Sequence, residues 1–88
     1  MLRISVTEAD GEPIKLRLDG QISGRWVELL QRMCEAQLKN GARVNLDLRN
    51  VSFVDRDGIA LLRSLTHGQV EILNALPFIA KQITEAAP

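Results

Sequence analysis

The strongest constraint on the fold of this chain is the segment of residues 46–62, LDLRNVSFVDRDGIALL. An alternating apolar and polar stretch leads through a short apolar link and an acidic turn, residues 55–58, into apolar residues at helical spacing. The pattern predicts a strand that feeds directly into a helix. Because a helix N-terminus has unpaired N–H groups and a partial positive charge, it favours anions. We therefore expect the turn of residues 55–58 to be the functional centre.

Two alternating stretches precede that segment and predict an antiparallel hairpin. The inward positions are Leu2, Ile4 and Val6 in the first strand and Ile14, Leu16 and Leu18 in the second. Residues 9–13, ADGEP, have the composition of a turn and would join the two strands.

An apolar stripe from residue 26 onward predicts the first helix. Ser23 is a plausible N-cap, and the pair Asn40-Gly41 marks the end of the helix. The positions expected to be buried are Trp26, Leu29, Leu30, Met33, Cys34 and Leu38. The lone Trp26 could alternatively be an exposed anchor for a partner.

Apolar residues at helical spacing predict two more helices. The second is expected to begin near Asp57 and to end at His67-Gly68, and the third to begin at Pro77. The apolar positions of these helices are Ile59, Leu61, Leu62 and Leu65, and then Phe78, Ile79 and Ile83. His67 is interpreted as a basic cap at a helix end rather than a metal ligand.

The resulting order, β-β-α-β-α-β-α, predicts an α/β fold with a mixed four-stranded sheet. The first strand is antiparallel, and right-handed crossovers make the other three parallel. In the third strand Val44, Leu46 and Leu48 would face inward, and Val70 and Ile72 mark the fourth. Since the strands alternate, we expect three helices on one face and a wet polar face opposite. That polar face would carry Lys15, Arg17, Asn45, Asp47, Arg49 and Glu71.

The length and composition of the chain argue against several classes of function. The 88 residues suit a single domain, 1–88, and the formal net charge of zero with three aromatic residues disfavours nucleic-acid binding. Zero net charge also favours self-association, so a homodimer is an open expectation. A lone cysteine, Cys34, predicts packing rather than a disulfide, and hence a cytoplasmic protein. No apolar run approaches the roughly 20 residues of a membrane span, and no signal peptide is recognisable.

Three segments resemble STAS domains, the family of bacterial anti-sigma-factor antagonists. Residues 16–22, LRLDGQI, resemble the L-x-G-x-L/I loop before the family's first helix. Residues 47–55, DLRNVSFVD, are similar to its central D-L-S-x-V-x-F-I-D, and residues 58–62, GIALL, match the G-L-x-x-L that opens its second helix. The resemblance covers nearly the whole chain and implies the same mixed sheet with helices on one side.

The resemblance implies protein binding rather than catalysis, without metal or cofactor. A STAS antagonist captures an anti-sigma factor that is also a serine kinase, and phosphorylation at the start of the second helix releases it. On this chain the expected partner surface is the 55–58 turn, the exposed side of the second helix and the loop before the first helix. Its residues are Asp55, Arg56, Asp57, Gly58, Arg63, Ser64, Gly20, Gln21 and Ser23.

The chain differs from the family at the position where the family is phosphorylated. The family's D-S-S-G or D-T-S-G becomes Asp55-Arg56-Asp57-Gly58, so the phosphoacceptor position matches Asp57, which has no hydroxyl. A phosphate adds about −1.5 to −2 charge, of which Asp57 would supply a part permanently. An N-cap or first-turn Asp also stabilises any helix, by about 0.5–2 kcal/mol for a cap, so a purely structural role stays open.

Two other functions remain in view. STAS-like subunits also bind the ATPases of bacterial phospholipid transporters without a serine switch, and the altered turn is compatible with that role. The turn also resembles the D-x-D-G start of haloacid-dehalogenase-type phosphatases, in which the two positions matched by Asp55 and Asp57 act as nucleophile and general acid beside Mg²⁺. Only 30 residues follow Gly58, and the nearest basic residue, Lys81, has no acidic pair. We therefore expect no enzymatic activity.

Overall fold

The elements follow the predicted order. The computed structural model describes residues 2–8, 11 and 13–84. The strands are β1 (Leu2–Thr7), β2 (Ile14–Ile22), β3 (Val44–Val54) and β4 (Val70–Leu73), and the helices are α1 (Arg25–Lys39), α2 (Arg56–Thr66) and α3 (Pro77–Thr84). In the predicted hairpin turn, Ala9, Asp10 and Glu12 lie outside the described residues.

The four strands form one mixed sheet in the order β1-β2-β3-β4. β1 is antiparallel to β2, whereas β2, β3 and β4 are parallel neighbours, so the predicted sheet is confirmed. The three helices pack on one face, where apolar side chains of both layers are buried together. The fully buried members of this core include Leu16, Leu18, Ile22, Leu46, Leu48, Leu30, Leu62 and Ile79.

The opposite face of the sheet is polar, with one exception to its predicted exposure. Lys15, Arg17, Arg49 and Glu71 are exposed and Asn45 is half-buried. Asp47, predicted to be solvated, is only 8% exposed. The prediction was wrong because side chains and backbone from three segments cover this carboxylate.

Each polar neighbour of Asp47 stabilises its charged form. Oδ1 accepts hydrogen bonds from the Arg49 N–H at 3.0 Å and from Asn74 Nδ2 at 3.3 Å, and Oδ2 lies 3.6 Å from Lys15 Nζ. These contacts, the Arg49 backbone bond foremost, hold the pKa of Asp47 below its ordinary value although burial opposes the shift. The group therefore behaves as a structural anion of the outer face.

The pairing of β3 with β2 is regular at the start of the strand and irregular further along. Its register against β2 shifts between Arg17 and Asp19, and again between Gly20 and Gln21. At each shift β3 contains one residue more than β2, which is the signature of a β-bulge. The stretch after Arg49, interpreted as an apolar link, is therefore strand. The buried positions in this half of β3 are Leu48, Val51 and Val54, which are three residues apart.

The helices differ from the predictions in detail. In α1 the buried positions are Val27, Leu30 and Cys34, whereas Leu29 is 40% exposed. Trp26 is half-buried against the core, and the Arg25 guanidinium lies 5.3 Å from its ring centroid.

The remaining predictions for the helices are confirmed at some residues and wrong at others. Phe78, predicted to be apolar core in α3, is 53% exposed, whereas Ile79 is fully buried. Burial, with a smaller contribution from Glu35, raises the pKa of the Cys34 thiol to about 11. Cys34 is fully buried in the core, which confirms its predicted place in the packing. His67 is the C-cap of α2, also as predicted.

Candidate functional site

Parallel pairing brings two loops of the chain together. β2 and β3 end side by side, with Ile22 opposite Val54, and each strand is followed by a helix. The backbone N–H of Asp55 donates to the carbonyl oxygen of Ile22 at 3.0 Å. The start of α1 and the start of α2 are therefore neighbours at the carboxyl edge of the sheet.

A single carboxylate connects these two helix starts. Asp55 is the N-cap of α2, and its Oδ1 accepts a hydrogen bond from the Gly58 N–H at 2.7 Å. Its Oδ2 accepts a second bond from the Gly24 N–H at 2.9 Å. Gly24 is the N-cap of α1 and has no side-chain cap of its own. The prediction that Ser23 caps α1 was therefore wrong, because a carboxylate 31 residues away binds the backbone there.

Close packing around Gly58 leaves no room for a side chain at this position. Gly58 is buried, and a Cβ built on it would lie 2.6 Å from Val54 Cγ1 and 2.9 Å from the carbonyl oxygen of Ile22. Both distances are shorter than real Cβ contacts. The absence of a side chain at this position lets α2 lie directly against the ends of β2 and β3.

Asp57 occupies a different position from Asp55. α2 begins at Arg56, with Asp55 as its N-cap, so Asp57 is a first-turn residue and not the cap. Its side chain is exposed and has no hydrogen-bond or ion-pair partner among the described residues. A carboxylate in the first turn interacts favourably with the helix dipole, but nothing else in the fold depends on it. This residue therefore adds negative charge to the surface of the turn.

The other predicted residues of the β2–α1 loop lie at the same edge. Gly20 is half-buried with φ +114°, and its carbonyl oxygen accepts a hydrogen bond from Ser52 Oγ at 3.4 Å. Gln21 is exposed and Ser23 is half-buried. Together with Gly24, these residues form the rim of the site on the side of α1.

A groove lies on the other side of the α2 start, with a volume of about 640 Å³. It is lined by Phe53, Val54, Asp55, Arg56, Ile59, Ala60, Arg63 and Gln82. Arg56 is exposed, whereas Arg63 is half-buried and its Nε donates to the carbonyl oxygen of Gln82 at 3.2 Å. Ser64 is exposed on α2 but does not line the groove.

The predicted site residues did not include five residues of this groove, namely Phe53, Val54, Ile59, Ala60 and Gln82. Phe53, 48% exposed, was visible only as part of an apolar stretch, because its outward direction depends on the two bulges of β3. Gln82 reaches the groove through the packing of α3 on α2, and no local pattern marks it.

Two further observations concern the described residues alone. They contain no group of three or more His, Cys, Asp or Glu side chains that could hold a metal ion. None of their helices is long and apolar enough to cross a membrane.

No protein-family model and no curated protein matches the sequence, but solved structures match its fold. The anti-sigma factor antagonist SpoIIAA in its unphosphorylated form aligns with a TM-score of 0.74 at 20% identity, over 98% of this chain and 84% of that chain. A STAS-domain antisigma-factor antagonist from Rhodobacter sphaeroides aligns with a TM-score of 0.64 at 17% identity, over 96% and 92% of the two chains.

A third structure, an uncharacterised DUF3478 protein with a SpoIIAA-like fold from Shewanella loihica, aligns with a TM-score of 0.60 at 14% identity, over 97% of this chain and 80% of that one. The chain therefore has the STAS, or SpoIIAA-like, fold that its motifs predicted.

Proposed function

We propose that this protein is a non-enzymatic, protein-binding regulatory module that acts like an anti-sigma-factor antagonist. The proposal rests on the different roles of the residues at the start of α2. Asp55 and Gly58 are engaged in holding the two loops together, and Arg56 and Asp57 are presented to solvent. A rigid, charged turn beside an exposed aromatic side chain suits recognition of another protein.

Asp57 takes the place of the phosphoacceptor in this proposal. It provides a fixed negative charge where the family places a serine, so the turn is not switched by phosphorylation at that position. One carboxylate reproduces part of the charge of a phosphate and fewer of its acceptor oxygens. The partner therefore meets a surface in one constant charge state.

The exposed, unpaired Asp57 also favours a second partner class. An ATPase of a bacterial phospholipid transporter would bind such a subunit without needing a hydroxyl in the turn. Both candidate partners are proteins, and we propose the same surface, the turn of residues 55–58, for either of them.

The phosphatase alternative is less compatible with the geometry. A nucleophilic aspartate needs an oxygen that is free to attack phosphorus. Both carboxylate oxygens of Asp55 instead accept hydrogen bonds from backbone N–H groups. This arrangement supports a structural role for Asp55 and a binding role for the turn.

The test is affinity capture of the tagged protein from a lysate of its own cells, with bound proteins identified by mass spectrometry. The wild type is compared with Asp57→Lys and with Glu71→Lys, which makes the same charge change on the exposed outer face. We expect the wild type and Glu71→Lys to capture a kinase-like anti-sigma factor or a transporter ATPase, and Asp57→Lys to lose it. Equal capture by all three proteins, or by none, would contradict the proposal.

A further inference from the structure

The two edges of the sheet differ in how open they are to a further strand. The order β1-β2-β3-β4 places β1 at one edge and β4 at the other. β4 has four residues, and short edge strands are one way in which proteins prevent pairing with other chains. β1 has six residues, pairs with β2 without a register shift and contains no proline. Its outer edge therefore presents regular backbone N–H and C=O groups to a further strand.

The apolar side chains of β1 become more exposed along the strand. Leu2 is 5% exposed, Ile4 is half-buried and Val6 is 49% exposed. Because side chains alternate along a strand, all three point to the face on which the helices pack, and the core covers the start of β1 more completely than its end. A further strand that placed an apolar side chain beside Val6 would remove this surface from water.

A second copy of β1 can supply that side chain, because the strand is complementary to itself in one antiparallel arrangement. Directly paired residues lie on the same face of a sheet, so a two-fold arrangement that keeps the helices of both copies on one side must pair a residue of β1 with itself. When Ile4 is that central residue, Val6 lies opposite Leu2 of the second copy. Arg3 then lies opposite Ser5, so no like charges are paired.

The neighbouring arrangements are less favourable. An axis at Arg3 pairs two arginine side chains directly, and like charges opposite each other destabilise a sheet. An axis at Ser5 brings the carboxylate of Glu8 against the apolar side chain of Leu2. Axes nearer either end of β1 pair fewer residues. Charge and apolar contact therefore both favour Ile4 as the centre.

From this self-complementarity we propose that two copies of the protein associate through β1, in an antiparallel arrangement centred on Ile4. The formal net charge of zero means that the copies do not repel each other at long range. Two short strands bury less than the roughly 1,200 Å² of a typical stable interface, so the dimer is weak and dissociates on dilution. The interface lies outside the turn of residues 55–58, so it adds a second copy of the chain to the partner that we propose for that turn.

The test is sedimentation velocity of the wild type at concentrations up to about 1 mM, where we expect a monomer–dimer equilibrium. Val6→Lys places a charge on the apolar side of the edge strand, which opposes edge pairing, and should weaken dimerisation by about tenfold or more. Phe78→Lys is the matched control, because Phe78 is 53% exposed and lies on α3, and its dimerisation should stay within about twofold of the wild type. Since both side chains are about half exposed, circular dichroism should show that both variants are folded.

Disulfide cross-linking tests the arrangement without the Val6 variant. The single cysteine of the chain, Cys34, is fully buried and does not interfere. Ile4→Cys places two thiols directly opposite each other, with Cβ atoms about 4.5–5.5 Å apart, so mild oxidation should link the two copies after a small adjustment. Arg3→Cys and Ser5→Cys are the controls. Their thiols lie further apart in the proposed dimer and should cross-link at least about fivefold more slowly.

Three results would overturn the proposal. They are a monomer at every concentration, dimerisation that Val6→Lys weakens no more than Phe78→Lys does, and cross-linking at residue 4 that is no faster than at residues 3 and 5. A monomer that still captures a partner from the lysate would end the dimer proposal and leave the proposed function standing.

Discussion

From Val44 to Asp47, β3 pairs with both β2 and β4, and its side chains alternate between the core and the outer face. From Leu48 to Val54 it pairs with β2 alone and contains two bulges. Both halves contribute buried side chains to the core, but the irregular half also has the exposed Phe53 and leads directly into Asp55, the N-cap of α2. Bulges commonly redirect side chains near functional sites, and here they determine what the edge of the sheet presents.

The largest effect that would test this comparison is expected at Gly58. In Gly58→Ala the new Cβ must displace Val54 or the backbone at Ile22, which we expect to cost about 3 kcal/mol. Gly68→Ala is the matched control, because its Cβ would meet only the Leu65 carbonyl oxygen at 3.6 Å. Thermal unfolding should show a fall in Tm of roughly 10–20 °C for the first variant and little change for the second. Equal Tm values would mean that the irregular half is not closely packed.

The second largest loss of stability is expected when Asp55 is replaced. Asp55→Ala removes the cap of α2 and leaves the Gly24 N–H without its acceptor, for an expected loss of about 2 kcal/mol in the free energy of unfolding. Asp57→Ala removes the same group two residues later and should cost less than about 0.5 kcal/mol. Urea denaturation of the two variants measures the difference. A larger loss in Asp57→Ala would reverse the roles assigned to the two carboxylates.

The regular half of β3 is tested by the pH dependence of stability, because it contains Asp47. The pKa of Asp47 is lowered in the folded protein, above all by the Arg49 N–H, so its stabilising contribution is present above the unfolded pKa of about 4 and is lost as pH falls through the folded value. Wild type and Asp47→Asn should therefore differ in unfolding free energy at pH 7 and converge below about pH 4. A constant difference down to pH 2 would show that the charge of Asp47 does not contribute.

The smallest effect is expected at Ser23. Because Asp55 and not Ser23 binds the start of α1, Ser23→Ala should change the free energy of unfolding by less than about 0.5 kcal/mol. Gly24→Ala is the positive control, since φ +57° and ψ −134° are unfavourable for any residue with a Cβ, at a cost of about 1–3 kcal/mol. A Ser23→Ala loss of the size typical for a cap, about 1 kcal/mol, would restore the local prediction.

These cases show which parts of the fold could be predicted from the sequence. The alternation of Val44 and Leu46 with Asn45 and Asp47 predicted the regular half, and the helical stripes helped to predict the order of elements. The spacing of Leu48, Val51 and Val54 follows neither the strand nor the helix period, so the residues after Arg49 were interpreted as a link.

The errors at the site have a common physical origin. Ser23 has the sequence signature of a cap, yet the acceptor comes from Asp55, 31 residues away. Asp47 alternates like an exposed residue, yet Asn74, 27 residues away, helps to cover it. Local patterns contain no information on such distant contacts. The motifs of residues 47–62 predicted correctly where a strand meets a helix, and the functional site placed at that junction stays a prediction.

The central functional claim is that the turn of residues 55–58 binds a protein partner and that Asp57 removes its phosphorylation switch. The most direct measurement is incubation of wild type and Asp57→Ser with radiolabelled ATP and a purified anti-sigma-factor kinase, followed by mapping of the labelled residue. We expect no label on the wild type and label at residue 57 of Asp57→Ser. Label on the wild type at Ser52, Ser64 or Thr66 would contradict the claim, because the switch would then survive at another hydroxyl.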